Sequence, residues 1–158
     1  MTDRPTVMIS STALDLPEHR EQVRLACERA GAAPHALMEN LTAEDADAVE
    51  VSLRMVEEAD IYICILAHRY GLVPLGEDIS ITEMEYDKAV ELGRPRLVFF
   101  MDDEHPVSPK HVEKGAGAEK LDRLKARIGQ ERVAAFFTTP EDLRGHVVEA
   151  LANLLPTL

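Results

Sequence analysis

Short apolar runs alternate with amphipathic stretches along the whole 158-residue chain. Five of these runs are short and rich in β-branched or aromatic residues, which predicts strands. They span residues 6–10, 34–38, 60–67, 96–101 and 132–137. The run DIYICILA at 60–67 is apolar on both faces. Such a run is typical of a central parallel strand that is covered by helices on each side.

A stretch with helical periodicity follows each predicted strand. Small polar residues that commonly cap helices precede four of these stretches, and the predicted N-caps are Asp15, Thr42, Ser80 and Thr139. The first helix is expected to carry Pro17 in its first turn and to end at Gly31. The second helix is expected to present Val49, Leu53 and Val56 on its buried face.

Five strand–helix units in this order predict an α/β fold with three layers. The expected core is a five-stranded parallel sheet of flavodoxin-like strand order 2-1-3-4-5, with helices on both faces. No composition shift, repeat or linker interrupts the chain, so residues 1–158 are predicted to form a single domain. Residues 113–119, EKGAGAE, are interpreted as a loop or the start of a helix.

Composition narrows the setting without naming a function. The net charge of −12 argues against partners with anionic surfaces, so neither nucleic acid nor a membrane is an expected partner. Two cysteines without a CxxC motif favour a reducing compartment. The N-terminus lacks the apolar core of a signal peptide, and no segment reaches the length of a membrane span. We therefore expect a cytoplasmic protein.

Ligands of doubly wound sheets bind beyond the carboxyl ends of the strands. The polar residues that follow the five predicted strands are Ser10, Ser11, Thr12, Glu39, Asn40, His68, Arg69, Tyr70, Asp102, Asp103, Thr138 and Thr139. Of these, Ser10, Ser11, Arg69 and Tyr70 are the candidates for contacts with a substrate. The six histidines have no metal-ligand spacing, and neither a P-loop nor a GxGxxG motif occurs. Neither a metal nor a cofactor is predicted.

Two glutamates stand near the start of the third helix, in SITEMEYDKAVELG. Ser80 and Glu83 have the spacing of a capping box, in which the glutamate reaches back to the N–H of the serine. Glu85 instead shares a helix face with Ile81, Ala89 and Leu92, and this face should meet the sheet. Glu85 is therefore either a carboxylate in the binding crevice or a half-exposed residue at the rim of the core.

Four blocks of the chain together resemble a known family: VMISSTALDLPEHR, ADIYICILAHRYG, SITEMEYDKAVELGRPRLVFF and FFTTPEDLRGHVVEAL. The family is an uncharacterised one with the pattern ISST-x-x-DL, RYG and S-x-TE-x-EY, and its members resemble TIR domains. Such members typically stand at the N-terminus of signalling NTPases of the NACHT or STAND type. One departure is His19, which occupies a position where the family usually has glutamate.

The resemblance to TIR domains and nucleoside deoxyribosyltransferases implies a chemical role for Glu85. In catalytic relatives the matching glutamate acts on the anomeric carbon as an N-glycosidic bond breaks, and NAD is then a substrate rather than a cofactor. Two hypotheses follow. The domain either cleaves NAD or a related nucleotide as the effector of a defence or signalling protein, or it is a non-catalytic module that self-associates and recruits partners.

Overall fold

A five-stranded parallel sheet in the order β2-β1-β3-β4-β5 runs through the centre of the molecule. The structure is a computed structural model, which describes residues 4–12, 14–35 and 48–158. The strands are β1 (Thr6–Ser10), β2 (Ala33–Pro34), β3 (Ile61–Leu66), β4 (Arg96–Met101) and β5 (Ala135–Phe137). The helices are α1 (Pro17–Ala30), α2 (Ala48–Glu58), α3 (Ile81–Leu92), α4 (Ala116–Glu131) and α5 (Pro140–Leu154). The predicted fold class and strand order are thus confirmed.

The two faces of the sheet bury separate apolar clusters. Ile61, Ile63 and Ile65 of β3 face the layer that contains α1 and α5. Tyr62 and Cys64 point to the opposite layer, which contains α2, α3 and α4. Because β3 is buried on both faces, it reads as a continuous apolar run in the sequence.

Both cysteines lie in this core, one in each cluster. Cys27 belongs to the cluster of α1 and α5, and Cys64 belongs to the opposite one. Burial raises the pKa of each thiol to about 12. Both side chains are therefore protonated, and act as small apolar groups at neutral pH.

Strand boundaries follow the sequence closely in the centre of the sheet and less closely at its edges. β1 and β4 have the predicted ends, and β3 is shorter than predicted by one residue at each end. At one edge β5 begins at Ala135 rather than at residue 132, because α4 continues through Glu131. At the other edge β2 is Ala33–Pro34, and the predicted continuation at 36–38 lies outside the described residues.

Helix starts and faces agree with the sequence in part. Thr139 caps α5 by accepting the N–H of Asp142, as predicted. Asp15 was wrongly predicted as the cap of α1, since its carboxylate accepts the hydroxyl of Thr12 and Leu16 holds the N-cap position. The predicted cap Thr42 lies outside the described residues.

The buried face of α2 also differs from the prediction. Val49 and Leu53 are only half-buried, and the buried residues of the helix are Ala48, Ser52, Met55 and Val56. Small side chains at positions 48 and 52 let the helix lie close to the sheet and α3, so the two bulkier residues turn outward. In the part of the chain that the structure describes, no helix is both long and apolar enough to cross a membrane.

Candidate functional site

The chain leaves β1 and β3, which are neighbours in the sheet, toward opposite faces. After β1 it enters α1 on one face, and after β3 it enters α3 on the other. We call the position beyond the carboxyl ends of these two strands the crevice. In a sheet of order 2-1-3-4-5 it is the place where ligands bind.

A buried carboxyl group lies directly below this point. Glu85, in the second turn of α3, has only 6% of its surface exposed. Ser10, the last residue of β1, is fully buried and donates its hydroxyl to Glu85 Oε1 over 2.8 Å. The prediction that the helix face of Glu85 meets the sheet is confirmed. Its face is nevertheless Thr82, Glu85, Tyr86 and Ala89, and not Ile81 and Leu92.

Burial dominates the protonation of this carboxyl group. It raises the pKa of Glu85 to about 8, since a charge is costly to hold away from water. The hydroxyls of Ser10 and Ser52 and the positive charge of Arg20 act in the opposite direction without cancelling the effect. In this structure Glu85 is therefore mostly protonated at neutral pH.

Two residues that sequence reasoning missed complete the surroundings of Glu85. Ser52 of α2 is buried, and its hydroxyl lowers the pKa of the carboxyl group. Tyr62 of β3 is fully buried on the same face of the sheet, within electrostatic range of Glu85. Its hydroxyl has no well-aligned hydrogen bond among the described residues, so it remains a donor that a ligand or the carboxylate could use. Ser52 could have been identified as a serine on the buried face of α2. The prediction placed Val49 and Leu53 on that face instead, and so missed Ser52.

Ser11, a predicted substrate contact, points to the α1 side of the crevice. Its hydroxyl accepts a hydrogen bond from Arg20 Nη1 at 2.8 Å. Arg20 also acts electrostatically on Glu85, so this bond fixes a cation near the carboxyl group. Arg69, another predicted contact, is half-buried, and its charge acts on the carboxyl group of Asp15 in the loop after β1.

Tyr70, the fourth predicted contact, turns away from Glu85. Its hydroxyl donates to Glu83 Oε1 over 2.5 Å and accepts the N–H of Ser80 over 3.2 Å. Ser80 caps α3 by accepting the N–H of Glu83, as predicted. The return bond of the capping box was wrongly predicted, because the phenol of Tyr70 stands between the N–H of Ser80 and the carboxylate of Glu83. Glu39 and Asn40, two further candidates, lie outside the described residues.

Two surface clefts lie away from the Ser10–Glu85 pair. One of about 500 Å³ lies between the start of α3 and α4, and is lined by Tyr70, Asp78, Ile79, Glu83, Lys120, Arg123, Leu124 and Arg127. The other, of about 400 Å³, lies between the starts of α1 and α5. Within the described ranges, no three histidine, cysteine or acidic side chains are grouped to hold a metal ion.

The fold and the site together define the class of this protein. It is a doubly wound α/β domain with a buried carboxyl group at the topological switch point of its sheet. The chain belongs to the family DUF4062, described as a domain of unknown function, which its residues 6–152 match. A search of curated proteins gave no match to the sequence.

Three solved structures illustrate how the chain compares with known folds. The CMP N-glycosidase BcmB of Clostridium botulinum is 12% identical over 97% of this chain and 99% of its own, with a TM-score of 0.49. The 2-desoxiribosyltransferase of Leishmania mexicana is 21% identical over 72% of this chain and 76% of its own, at 0.47. The TIR domains of the activated Roq1 resistosome are 15% identical over 95% and 84%, also at 0.47. Such values leave the function of this chain to be argued from its own residues.

Proposed function

We propose that this domain hydrolyses the N-glycosidic bond of a nucleotide, with NAD as the first substrate to test and Glu85 acting at the anomeric carbon. The observation that carries the proposal is the buried Glu85 carboxyl group, held by Ser10 at the switch point of the sheet. A strongly raised pKa on a carboxyl group at such a place is characteristic of functional sites. The motif resemblance to TIR domains and deoxyribosyltransferases supports the same residue.

The chemistry needs a carboxylate beside a developing positive charge. When the bond from the ribose to nicotinamide breaks, its electron pair leaves with nicotinamide, which departs as a neutral base. The sugar gains oxocarbenium character, and the Glu85 carboxylate stabilises it by electrostatic attraction or by direct attack. Water then bonds to the anomeric carbon, and where Glu85 had attacked directly its carboxylate leaves with the electron pair of that bond. The attacking water gives its proton to bulk water, and the products are ADP-ribose and nicotinamide.

The surrounding residues receive roles that follow from their positions. Ser10 and Ser52 orient the carboxyl group through their hydroxyls. Ser11 and Arg69, which follow β1 and β3, are assigned to substrate contacts, since a guanidinium suits the diphosphate of a dinucleotide. Tyr70 is assigned to anchoring its loop, since its hydroxyl is engaged by Ser80 and Glu83.

The test is cleavage by the clustered domain, because we expect self-association to activate it. The domain is fused to an oligomerising scaffold and incubated with NAD, and released nicotinamide is measured by chromatography. Glu85→Gln keeps the shape and removes the ability to ionise, so we expect turnover to fall at least 100-fold, about 3 kcal/mol of transition-state stabilisation. Glu91→Gln, the same change at an exposed position of the same helix, is the matched control and should leave turnover unchanged.

The second candidate function is a non-catalytic self-association module of a signalling or defence protein. The enclosure of Glu85 favours it, since a buried carboxyl group that is hydrogen bonded to Ser10 also serves as a core contact. The same experiment separates the two. A clustered wild type that leaves NAD and other nucleotides intact would decide for the module.

A further inference from the structure

The segment between β4 and α4 returns across the end of β3 and is tied there by Glu113. The backbone N–H of Glu113 donates to the carbonyl of His68 over 2.9 Å. Its Oε1 accepts the N–H of Tyr70 at 2.9 Å and, less closely, that of Gly71 at 3.4 Å. One side chain therefore holds the backbone of the loop that follows β3.

The same carboxylate occupies a space that a missing side chain leaves on α4. A Cβ placed on Gly117 would lie 1.5 Å from Glu113 Oε2. Gly117 belongs to the first turn of α4, where the helix dipole favours negative charge. Glu113 thus joins the loop after β3 to the start of α4, and the absence of a side chain at position 117 is what makes room for it.

Gly71 in turn packs against residues next to the Ser10–Glu85 pair. It adopts a φ of +96°, and a Cβ there would lie 3.0 Å from Thr12 Cγ2 and 3.5 Å from Thr82 Oγ1. Thr12 comes two residues after Ser10, and Thr82 lies one turn before Glu85 on the same face of α3. The backbone at Gly71 therefore lies between the two elements that carry the pair.

We propose that residues 69–71 form a gate over the Ser10–Glu85 pair and that Glu113 is the latch that keeps the gate shut. Releasing the carboxylate frees the backbone N–H groups of Tyr70 and Gly71. Gly71 can then move away from Thr12 and Thr82, while the Tyr70 hydroxyl stays bonded to Ser80 and Glu83. The crevice then opens to water and to a ligand. The purpose of the gate rests on the proposed function, whereas its mechanics rest only on these contacts.

A pair of matched glycine substitutions in α4 tests the latch. Gly117→Ala places a methyl group where the carboxylate lies, and the clashing atoms are the flexible end of Glu113, so the carboxylate is expelled while the helix persists. Gly129→Ala adds the same methyl group to the same helix where nothing lies within 4 Å. Glu113→Ala removes the carboxylate directly and is the second variant.

Two readouts are measured for the wild type and all three variants, both by NMR. Hydrogen exchange of the Tyr70 and Gly71 amides should accelerate at least tenfold in Gly117→Ala and Glu113→Ala, and remain at the wild-type rate in Gly129→Ala. The carboxyl carbon of Glu85 should titrate at least one pH unit lower in the two latch variants, since opening brings water to the carboxyl group. Faster exchange with an unchanged Glu85 titration would overturn the gate, and so would equal behaviour of the two glycine variants.

Neither readout uses turnover, so the gate and the proposed function can fail separately. If the latch variants open the crevice and the clustered domain cleaves no nucleotide, the gate stands and the catalytic proposal falls. If the wild type cleaves NAD and the latch variants neither open nor change turnover, the gate falls alone.

Discussion

At the scale of single residues, the protonation state of Glu85 is the property on which the proposed chemistry depends. A carboxyl group with a pKa of about 8 is protonated in the closed state, whereas stabilisation of an oxocarbenium-like centre requires the carboxylate. The structure thus holds the required carboxyl group, but in its protonated rather than its charged form. Rising pH or hydration of the crevice would each restore the charge.

The pH dependence of turnover should show this requirement. We expect kcat/KM of the clustered domain for NAD to increase tenfold per unit below pH 7 and to level off near pH 8. Rates measured from pH 5.5 to 9 with a substrate-independent check of folding give the profile. A flat profile below pH 7 would show that the reacting enzyme already has Glu85 ionised.

Sequence reasoning located Glu85 but not its neighbours. Its spacing from Ala89 placed it on the buried face, because helical periodicity fixes which residues share a face. In the sequence, Tyr62 is recognisable only as one residue of an apolar strand. Its electrostatic interaction with Glu85 depends on how β1, β3 and α3 pack together. Contacts between distant segments have no signature in local periodicity.

At the scale of elements, three side chains hold the start of α3, where the sequence predicted only Ser80 and Glu83. Tyr70 bridges the N–H of Ser80 and the carboxylate of Glu83, so the loop after β3 is fastened to the helix cap. The serine cap was predictable from the sequence. The bridge was not, because Tyr70 and Ser80 are ten positions apart across an irregular loop and local spacing cannot place such a contact.

This shared network predicts non-additive stability changes. Glu83→Ala should lower the free energy of unfolding by about 0.5–2 kcal/mol. Tyr70→Phe should lower it by about 1–3 kcal/mol, since it leaves the N–H of Ser80 and the carboxylate of Glu83 without their partner. The double variant should lose less than the sum, measured by urea unfolding. Strict additivity would mean that the three groups act independently.

Element boundaries show where sequence patterns are sufficient. Central strands were predicted well, because burial on both faces leaves an uninterrupted apolar run. The face of α2 was predicted wrongly, because small residues such as Ala48 and Ser52 pack close while larger apolar ones cover the rim. Hydrophobicity alone does not distinguish a residue at the core from one at its edge.

At the scale of the whole molecule, one buried acid should set much of the pH dependence of stability. The folded state holds a proton on Glu85 up to about pH 8, while in the unfolded chain the proton leaves near 4.5. Between these values the folded state binds more protons, so its stability falls as pH rises. The shift corresponds to a loss on the order of 5 kcal/mol across this range.

Glu85→Gln should remove that dependence. Glutamine cannot ionise, so the difference in unfolding free energy between variant and wild type should grow in favour of the variant from pH 5 to pH 8. Denaturant unfolding at several pH values provides the comparison, and subtracting the two curves cancels the other titrating groups. A pH-independent difference would mean that Glu85 is ionised in the folded state.

The burial of both cysteines has a practical consequence for experiments on the proposed gate. With Cys27 and Cys64 protonated and enclosed, a single cysteine introduced at an exposed site becomes the only thiol that reacts quickly with a maleimide. Leu75 lies fully exposed in the loop that leads into α3, and offers such a site. A fluorophore or spin label can thus be attached to the loop between β3 and α3 without first removing a native side chain from the core.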